Sequence, residues 1–363
     1  MPTLRVIELS RVLAGPVCGM ILGDLGADVL KVERPKVGDE TRGWGPPFDD
    51  RGQSAYFLAV NRNKKSIALD LGMHGDRDVL LRLIAGADVV VDNFLPGKLA
   101  GFGIDERKLL EEHAQLIWCS ISGFGPGSTR PGYDFVVQGE AGWMAITGEP
   151  GGEPMKTGVA LADLIAGKDA ALAILGRVLE RSAGDLPASR RRLHVSLIGS
   201  ATAALVNVAQ NVLVSGRDAG RWGNAHPNLV PYQLFHASDR AVIIAVGSDE
   251  QWIACARSLG LDELAADSDL RSNAGRLGNR TRIVSAIAAS VANGTAAHWI
   301  KKLQAGGVPC GVVKSVAEAL QSIEASTLTG VASPIGGTVR LPPPMLDADG
   351  PAVRTLGWRA FGP

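Results

Sequence analysis

From Leu4 to about residue 125, short apolar runs of strand length alternate with stretches whose apolar residues recur at helical spacing. The runs LRVIEL, DVLKVE, SIALDL, DVVVDNF and LIWCSISGF read as strands, and this alternation predicts βαβ units with a mostly parallel sheet. Between the first two, GPVCGMILGDLG puts Gly15, Gly19 and Gly23 on one helix face, a spacing that permits close helix packing. Asp24 argues against a membrane span there. A further helical pattern opens at Asp163, with Leu164, Ala171, Leu172, Leu175 and Leu179 as its apolar stripe, and fades into ERSAGD. ERSAGDLPASRRR reads as a surface loop. RLHVSLIGSATAALVNVAQNVL then reads as a strand running into one long, nearly all-apolar helix, which has to be buried within the protein or against a partner chain.

After Gly216 the texture changes. GRWGNAHPNLVPYQLF is rich in Gly, Asn and Pro and leads to a strand, AVIIAVGS. Helices around 251–260, 281–292 and 296–305 follow, then VPCGVV. The pattern predicts a smaller α/β domain over 216–325 and a discontinuous large domain from 1–215 and 326–363. The tail from Gly330, with PPP and few periodic positions, reads as irregular chain packed back on the body.

A chain of 363 residues, 46% hydrophobic, can bury a large core and suggests two domains. Its 37 basic residues balance 37 acidic ones, which removes any global electrostatic case for nucleic acid or a membrane surface as partner. An anion site has to be local. Cys18, Cys119, Cys255 and Cys310 form no C-x-x-C pair, the histidines show no HExxH spacing, and no metal is expected. With no signal-peptide pattern and no apolar run of about 18 residues, the cytoplasm is the expected location.

In open parallel sheets, ligands bind beyond the carboxyl ends of the strands. Those positions carry SRVLAGP (10–16), ERP (33–35), NFLPG (93–97) and SGFGPG (122–127), which supply glycines for close backbone approach, the cation Arg34 and the amide of Asn93. This composition suits a phosphorylated ligand. NRNKK (61–65) and Arg42 add local cations, although such a run is equally readable as a solvated charge cluster. No GxGxxG or Walker A motif is present, which disfavours nicotinamide and nucleoside triphosphate readings.

Taken in order, LRVIELSRVLAGPVCGMILGDLGADVLKVERPKVGDETR, NRNKKSIALDL, ADVVVDNFLPG and TGVALADLIAG closely resemble the family III CoA-transferases, which include formyl-CoA and crotonobetainyl-CoA/carnitine transferases, and the related α-methylacyl-CoA racemases. The likeness covers residues 4–200, with weaker echoes in NAHPNLVPYQLF and GVPCGVV to about 320. It implies a Rossmann-like large domain built from both termini, a smaller middle domain and an interlocked homodimer. CoA and acyl-CoA would be substrates, with no permanently bound cofactor and no nucleic-acid or membrane partner. Position by position, Asp163 matches the catalytic aspartate. Val12, Ala14, Arg34, Leu69, Asp70, Leu71, Gly72, Asn93, Phe94, Leu95, Tyr133 and Asp134 match positions that contact CoA in the transferases.

The resemblance implies that Asp163 attacks a donor thioester and carries the acyl group as an anhydride and then CoA as an aspartyl thioester. Small flanking residues leave room for the thioester carbonyl, and an apolar setting keeps water away. From TGVALADLIAG alone, Asp163 reads first as an N-cap for the helix it precedes, and only the whole set of motifs puts the catalytic reading ahead. Tyr133 and Asp134 read as a turn with a buried ring, and Arg34 as a surface ion pair. A racemase would need a second acid/base where this chain has Tyr133, and no histidine lies between His113 and His194, although Glu250 resembles a racemase carboxylate position. A CoA-binding protein without turnover is the third reading. Leu13 and Pro131 replace residues typical of the formyl-CoA enzymes, so formate and oxalate are not the expected acids. Asn224 and His226 are candidate contacts to the acceptor acid.

Overall fold

A computed structural model describes residues 3–321 and 339–362. The described residues divide into two compact units, one within Met1–Met144, Lys156–Arg217 and Thr327–Pro363, the other within Ala145–Met155 and Asp218–Ser326. The expected boundary near 326 lies outside the described residues. Ala145–Met155, expected in the large domain, belongs instead to the second unit. Its backbone accounts for this: Arg221 donates to the carbonyls of Glu149 (3.3 Å) and Gly152 (2.6 Å), and Gly223 N–H donates to Gly148 O (3.1 Å).

The first unit is built on β1 (Arg5–Glu8), β2 (Asp28–Glu33), β3 (Lys64–Ala68), β4 (Val89–Asp92), β5 (Ile117–Ser122) and β6 (Arg192–Ser196). All neighbours are parallel, in the order β3-β2-β1-β4-β5-β6. Val6 of β1 sits between Val29 of β2 and Val89 of β4, and all three are fully buried. Apolar side chains on both faces are what a sheet covered on both sides requires. One face is covered by helices Ala14–Asp24 and Leu161–Ala183, the other by helix His74–Ala85 and the chain's C-terminal segment.

Three expectations change here. The glycine face of Ala14–Asp24 does not meet a helix: a Cβ on Gly19 would lie 1.9 Å from Glu8 Oε2, so these glycines admit a buried polar cluster. In Leu161–Ala183 the buried face is Ala162, Ala166, Ala170, Ala171, Ile174 and Val178, while Leu172 and Leu179 are exposed, because small residues bring this helix close to its neighbours. The long apolar helix is two, Leu197–Ala203 and Val206–Ser215, bent by 71°, and the second buries none of its residues. Among the described residues no single helix is long and apolar enough to cross a membrane.

The tail from Gly330 falls partly outside the described residues. Its described part is not wholly irregular, since Gly350–Leu356 is helical. Asp347 and Asp349 accept from Ala68 N–H (2.8 Å) and Ser66 N–H (3.0 Å), covering the otherwise open edge of β3. Trp358 then packs on the second face and donates to Leu83 O at 2.9 Å.

The second unit has an antiparallel sheet of β7 (Tyr232–His236), β8 (Ala241–Ala245) and β9 (Cys310–Val312). Helices Asp249–Ser258, Arg280–Ala292 and Ala296–Ala305 pack around Trp252, Ile283, Ile287 and Leu303. The loop-like composition before AVIIAVGS hid β7, which exists because Phe235 enters this core opposite Val242.

Candidate active site

Strand order reverses between β1 and β4, and the segments after these strands are tied together. Asn93 donates to Arg11 O (2.8 Å) while Arg11 N–H donates back to Asn93 Oδ1 (3.1 Å). The next residue, Val12, has φ of 71°, a conformation unfavourable for a β-branched residue. Its N–H is held by the Asp39 carboxylate at 3.2 and 3.3 Å.

Asp39 belongs to a buried charge cluster beneath this turn. Lys31 Nζ meets Asp39 (3.0 Å), Glu8 (2.8 Å) and the carbonyl of Ser10 (3.0 Å). The second Glu8 oxygen meets Lys64 Nζ at 2.8 Å. Burial opposes ionisation of Asp39, but Lys31 and the Thr41 donors outweigh it and hold the carboxyl below its usual range. Burial likewise opposes the charge on Lys31, yet Glu8 and Asp39 drive its pKa up; for Lys64 burial prevails and brings it down to about 8.

The basic elements read as phosphate ligands are therefore largely structural. Lys64 lies in the cluster, Arg62 pairs with Asp24 (2.5 Å), Lys65 with Asp349 (3.2 Å) and Arg42 with Glu33 (2.7 Å). Their side chains look inward because β3 and its approach are packed against the first helix and the tail, a relation that composition does not carry.

Two adjoining cavities open over this turn. The larger, about 530 Å³, is lined by Arg34, Leu69, Asp70, Leu71, Phe94 and Leu95, together with Ser10 and Lys98. The smaller, about 230 Å³, holds Asp163 with Val12, Ala14, Asn93, Tyr133 and Arg130. Arg11, Phe94 and Leu95 line both. Most candidate positions thus converge on one cleft. Gly72 lines neither cavity, and its N–H donates to Asp70 Oδ1 at 3.0 Å. Arg34 pairs with Glu40 at 3.1 Å but keeps over half of its side chain exposed. Asn224 and His226 belong to the second unit, where His226 Nδ1 accepts from Asn228 N–H (3.0 Å).

Sequence reasoning missed Arg11, Lys98 and Arg130. Arg11 lies within the quoted strand-end segment SRVLAGP and Lys98 directly follows NFLPG, so the available signal was their position. Arg130 lies in the loop before Tyr133, stacks 3.9 Å over the Phe124 ring and pairs with Glu140 at 2.5 Å.

Asp163 is the third residue of helix Leu161–Ala183, so it is inside the helix and does not cap it. The cap comes from elsewhere. Asp134, at the start of helix Asp134–Glu140, accepts from the N–H groups of Ala162 (2.8 Å) and Asp163 (3.3 Å). Asp134 is buried, and its described contacts hold that helix; Tyr133, by contrast, is 60% exposed and not a buried ring. Gly167 lets the helix approach the first one closely, since a Cβ there would stand 2.5 Å from Ala14 O. Burial first, and the Asp134 charge second, raise the Asp163 carboxyl to about 7. A carboxylate so placed is destabilised as an anion and accessible to a ligand, which suits a nucleophile or a general base.

A parallel sheet of Rossmann-like order, with a cleft at its switch point and a raised-pKa carboxylate beside it, is the arrangement in which open α/β sheets place their ligands. A family model described as CoA-transferase family III matches residues 1–344, and the chain belongs to that family. Succinyl-CoA:glutarate CoA-transferase of Mus musculus is 38% identical over 357 residues, 97% of this chain and 79% of the relative. Acetyl-CoA:oxalate CoA-transferase of Acetobacter aceti is 36% identical over 320 residues, 87% of this chain and 81% of the relative. The crystal structure of a CAIB/BAIF family protein from Brucella suis superposes with a TM-score of 0.84 at 38% identity, covering 97% of each chain. The protein is a CoA-transferase, and CoA thioesters are the substrates of its class.

Proposed function

We propose that this enzyme moves CoA between dicarboxylic acids through covalent intermediates on Asp163. The observation that carries the reading is the Asp163 carboxyl, raised to about 7, in the same cavity as Val12, Ala14 and Tyr133. The Asp163 oxygen attacks the thioester carbonyl, the C–S bond breaks and CoA leaves as thiolate, giving an acyl-aspartyl anhydride. The thiolate attacks the Asp163 carbonyl carbon, releasing the donor acid and leaving aspartyl-CoA thioester. The acceptor carboxylate repeats these steps in reverse order. The thioester's free energy is conserved because water is never the acyl acceptor. Support for dicarboxylates comes from the relatives, whose names pair CoA with succinate, glutarate or oxalate. The larger cavity, with Arg34 and Lys98 at its rim, takes the phosphorylated part of CoA.

One assay tests this reading: succinyl-CoA is incubated with glutarate, oxalate, formate and monocarboxylates while CoA exchange is followed, with a parallel sample in deuterated water. Exchange confined to dicarboxylates supports the reading; deuterium uptake at the α-carbon without exchange makes the enzyme a racemase. Exchange only with monocarboxylates removes the dicarboxylate assignment. Because the anion is the nucleophile, the acid limb of kcat/KM is expected to follow a single group near 7, falling about tenfold per pH unit below it. A pH-independent rate between pH 5 and 8 would contradict it. Arg34→Ala is expected to raise the KM for succinyl-CoA roughly tenfold with kcat nearly unchanged, since it removes a ground-state phosphate contact; an unchanged KM would place the phosphates elsewhere.

We also read the enzyme as a homodimer, supported by Val206, Leu213 and Val214, each at least 70% exposed on a helix that buries nothing within the chain. A monomeric mass by light scattering would remove this reading.

A further inference from the structure

The proposal above leaves unexplained why Gln138, a fully buried amide on the helix Asp134–Glu140, is placed where it is. Its Nε2 donates to Asp134 Oδ2 at 2.5 Å. Its Oε1 accepts from Thr157 N–H (2.8 Å) and Thr157 Oγ1 (3.2 Å). Nε2 also reaches Val159 O at 3.3 Å. One side chain therefore grips the segment leading into Leu161–Ala183 and, through Asp134, the first turn of that helix.

We propose that Gln138 and Asp134 form a positioning unit for Asp163, fixing the helix turn that carries the nucleophile and setting how readily it ionises. The inference rests on the reading of Asp163 as the reacting group. Asp134 Oδ1 takes two of the orphan N–H groups that Ala160, at the cap position, leaves unserved. Gln138 holds the other oxygen, so the carboxylate cannot rotate off the helix. The amide orientation is dictated at both ends: only a carbonyl oxygen can accept from Thr157 N–H, and only an N–H can donate to Asp134.

Among the charges around Asp163, Asp134 is the principal lever, second to burial. Asp134 comes from its own helix and Tyr56 from helix Ala55–Val60, while Arg11, Arg130 and Tyr133 line the cavity. The arginines are committed to Glu40 and Glu140. On the packed helix Ala14–Asp24 the one carboxylate, Asp24, is paired with Arg62, and Leu197–Ala203 carries no charge. Asp169, further along the Asp163 helix, is bonded by Ser200.

Three variants test the unit. Asp134→Asn removes the charge but keeps an oxygen for the helix N–H groups, so the Asp163 pKa is expected to fall by about one unit or more. The readout is the Asp163 carboxyl titration by ¹³C NMR on aspartate-labelled protein, assigned by its loss in Asp163→Asn. The acid limb of CoA exchange should shift with it. Asp134→Asn alone turns an N–H toward Gln138 Nε2, so Asp134→Asn with Gln138→Glu is the matched pair: it restores the bond between the two side chains and keeps an acceptor for Thr157, at the loss of the 3.3 Å contact to Val159 O, with the charge moved four positions along the helix. It should recover most of the kcat lost in the single variant. Gln138→Met should lower kcat about tenfold or more, with the KM for acyl-CoA little changed, because the nucleophile is misplaced while the CoA cleft is intact. An unmoved Asp163 titration in folded Asp134→Asn, or full kcat in Gln138→Met, overturns the proposal. If Asp163→Asn retains exchange, the reading of Asp163 as nucleophile fails instead, and the NMR titration still judges the positioning unit separately.

Discussion

Replacing Asp163 with alanine is expected to lower CoA exchange at least about 10⁴-fold, to the limit of detection, while acyl-CoA still binds. The neighbouring carboxylate does not replace it, because Asp134 is turned toward the backbone N–H groups of Ala162 and Asp163. Steady-state exchange with isothermal titration of CoA separates the two effects, and residual exchange above a hundredth of the parent rate would mean the acyl group is carried elsewhere. The same position should report on stability. The folded-state pKa of Asp163, about 7, lies above its ordinary value of 3.8, so the folded chain binds this proton more tightly than the unfolded one. Stability is then lost as pH rises from about 4 through 7. Asp163→Asn is accordingly expected to be more stable than the parent at pH 8, by on the order of 3 kcal/mol, and little different at pH 4. Denaturant midpoints at the two pH values check the sign.

The second large effect concerns stability at the base of the site. Glu8→Leu is expected to destabilise the fold by about 3–5 kcal/mol, because Lys31 and Lys64 would lose the carboxylate that bridges them in the interior. In the intact cluster Glu8 and Asp39 balance Lys31 and Lys64, all four fully or almost fully buried. Removing one member leaves a net buried charge. The cost should appear in the urea midpoint, and a loss under about 1 kcal/mol would mean that water already solvates the lysines. Since Lys31 also grips Asp39, and Asp39 the strained Val12, surviving protein should show a raised KM for acyl-CoA.

Much of the frame was legible in the chain. The five early strands were readable because each carries apolar residues that the sheet buries, and the cleft because ligands gather at strand ends. Arg34 and Asn93 were found at strand ends and Asp163 and Tyr133 by resemblance, and their convergence on one cleft adds geometry to both. β7 was hidden, since its partner strand and Phe235's core position lie outside local composition. The stripe through Leu172 and Leu179 was misassigned because burial on that helix follows its small residues.

The sequence by itself determined the alternation of strands and helices and the class of fold, since these follow from periodicity and from residue types in order along the chain, and it singled out Asp163 as the candidate carboxylate through its likeness to a family. Only the tertiary structure decided what each charge does. Lys64 turned from a phosphate candidate into a buried structural cation and Arg62 into the partner of Asp24, and Asp163 from a candidate cap into a residue whose N–H is capped by Asp134, 29 positions away. A charged side chain's role is set by which partner it meets and how much water remains around it, and both depend on residues distant in the chain.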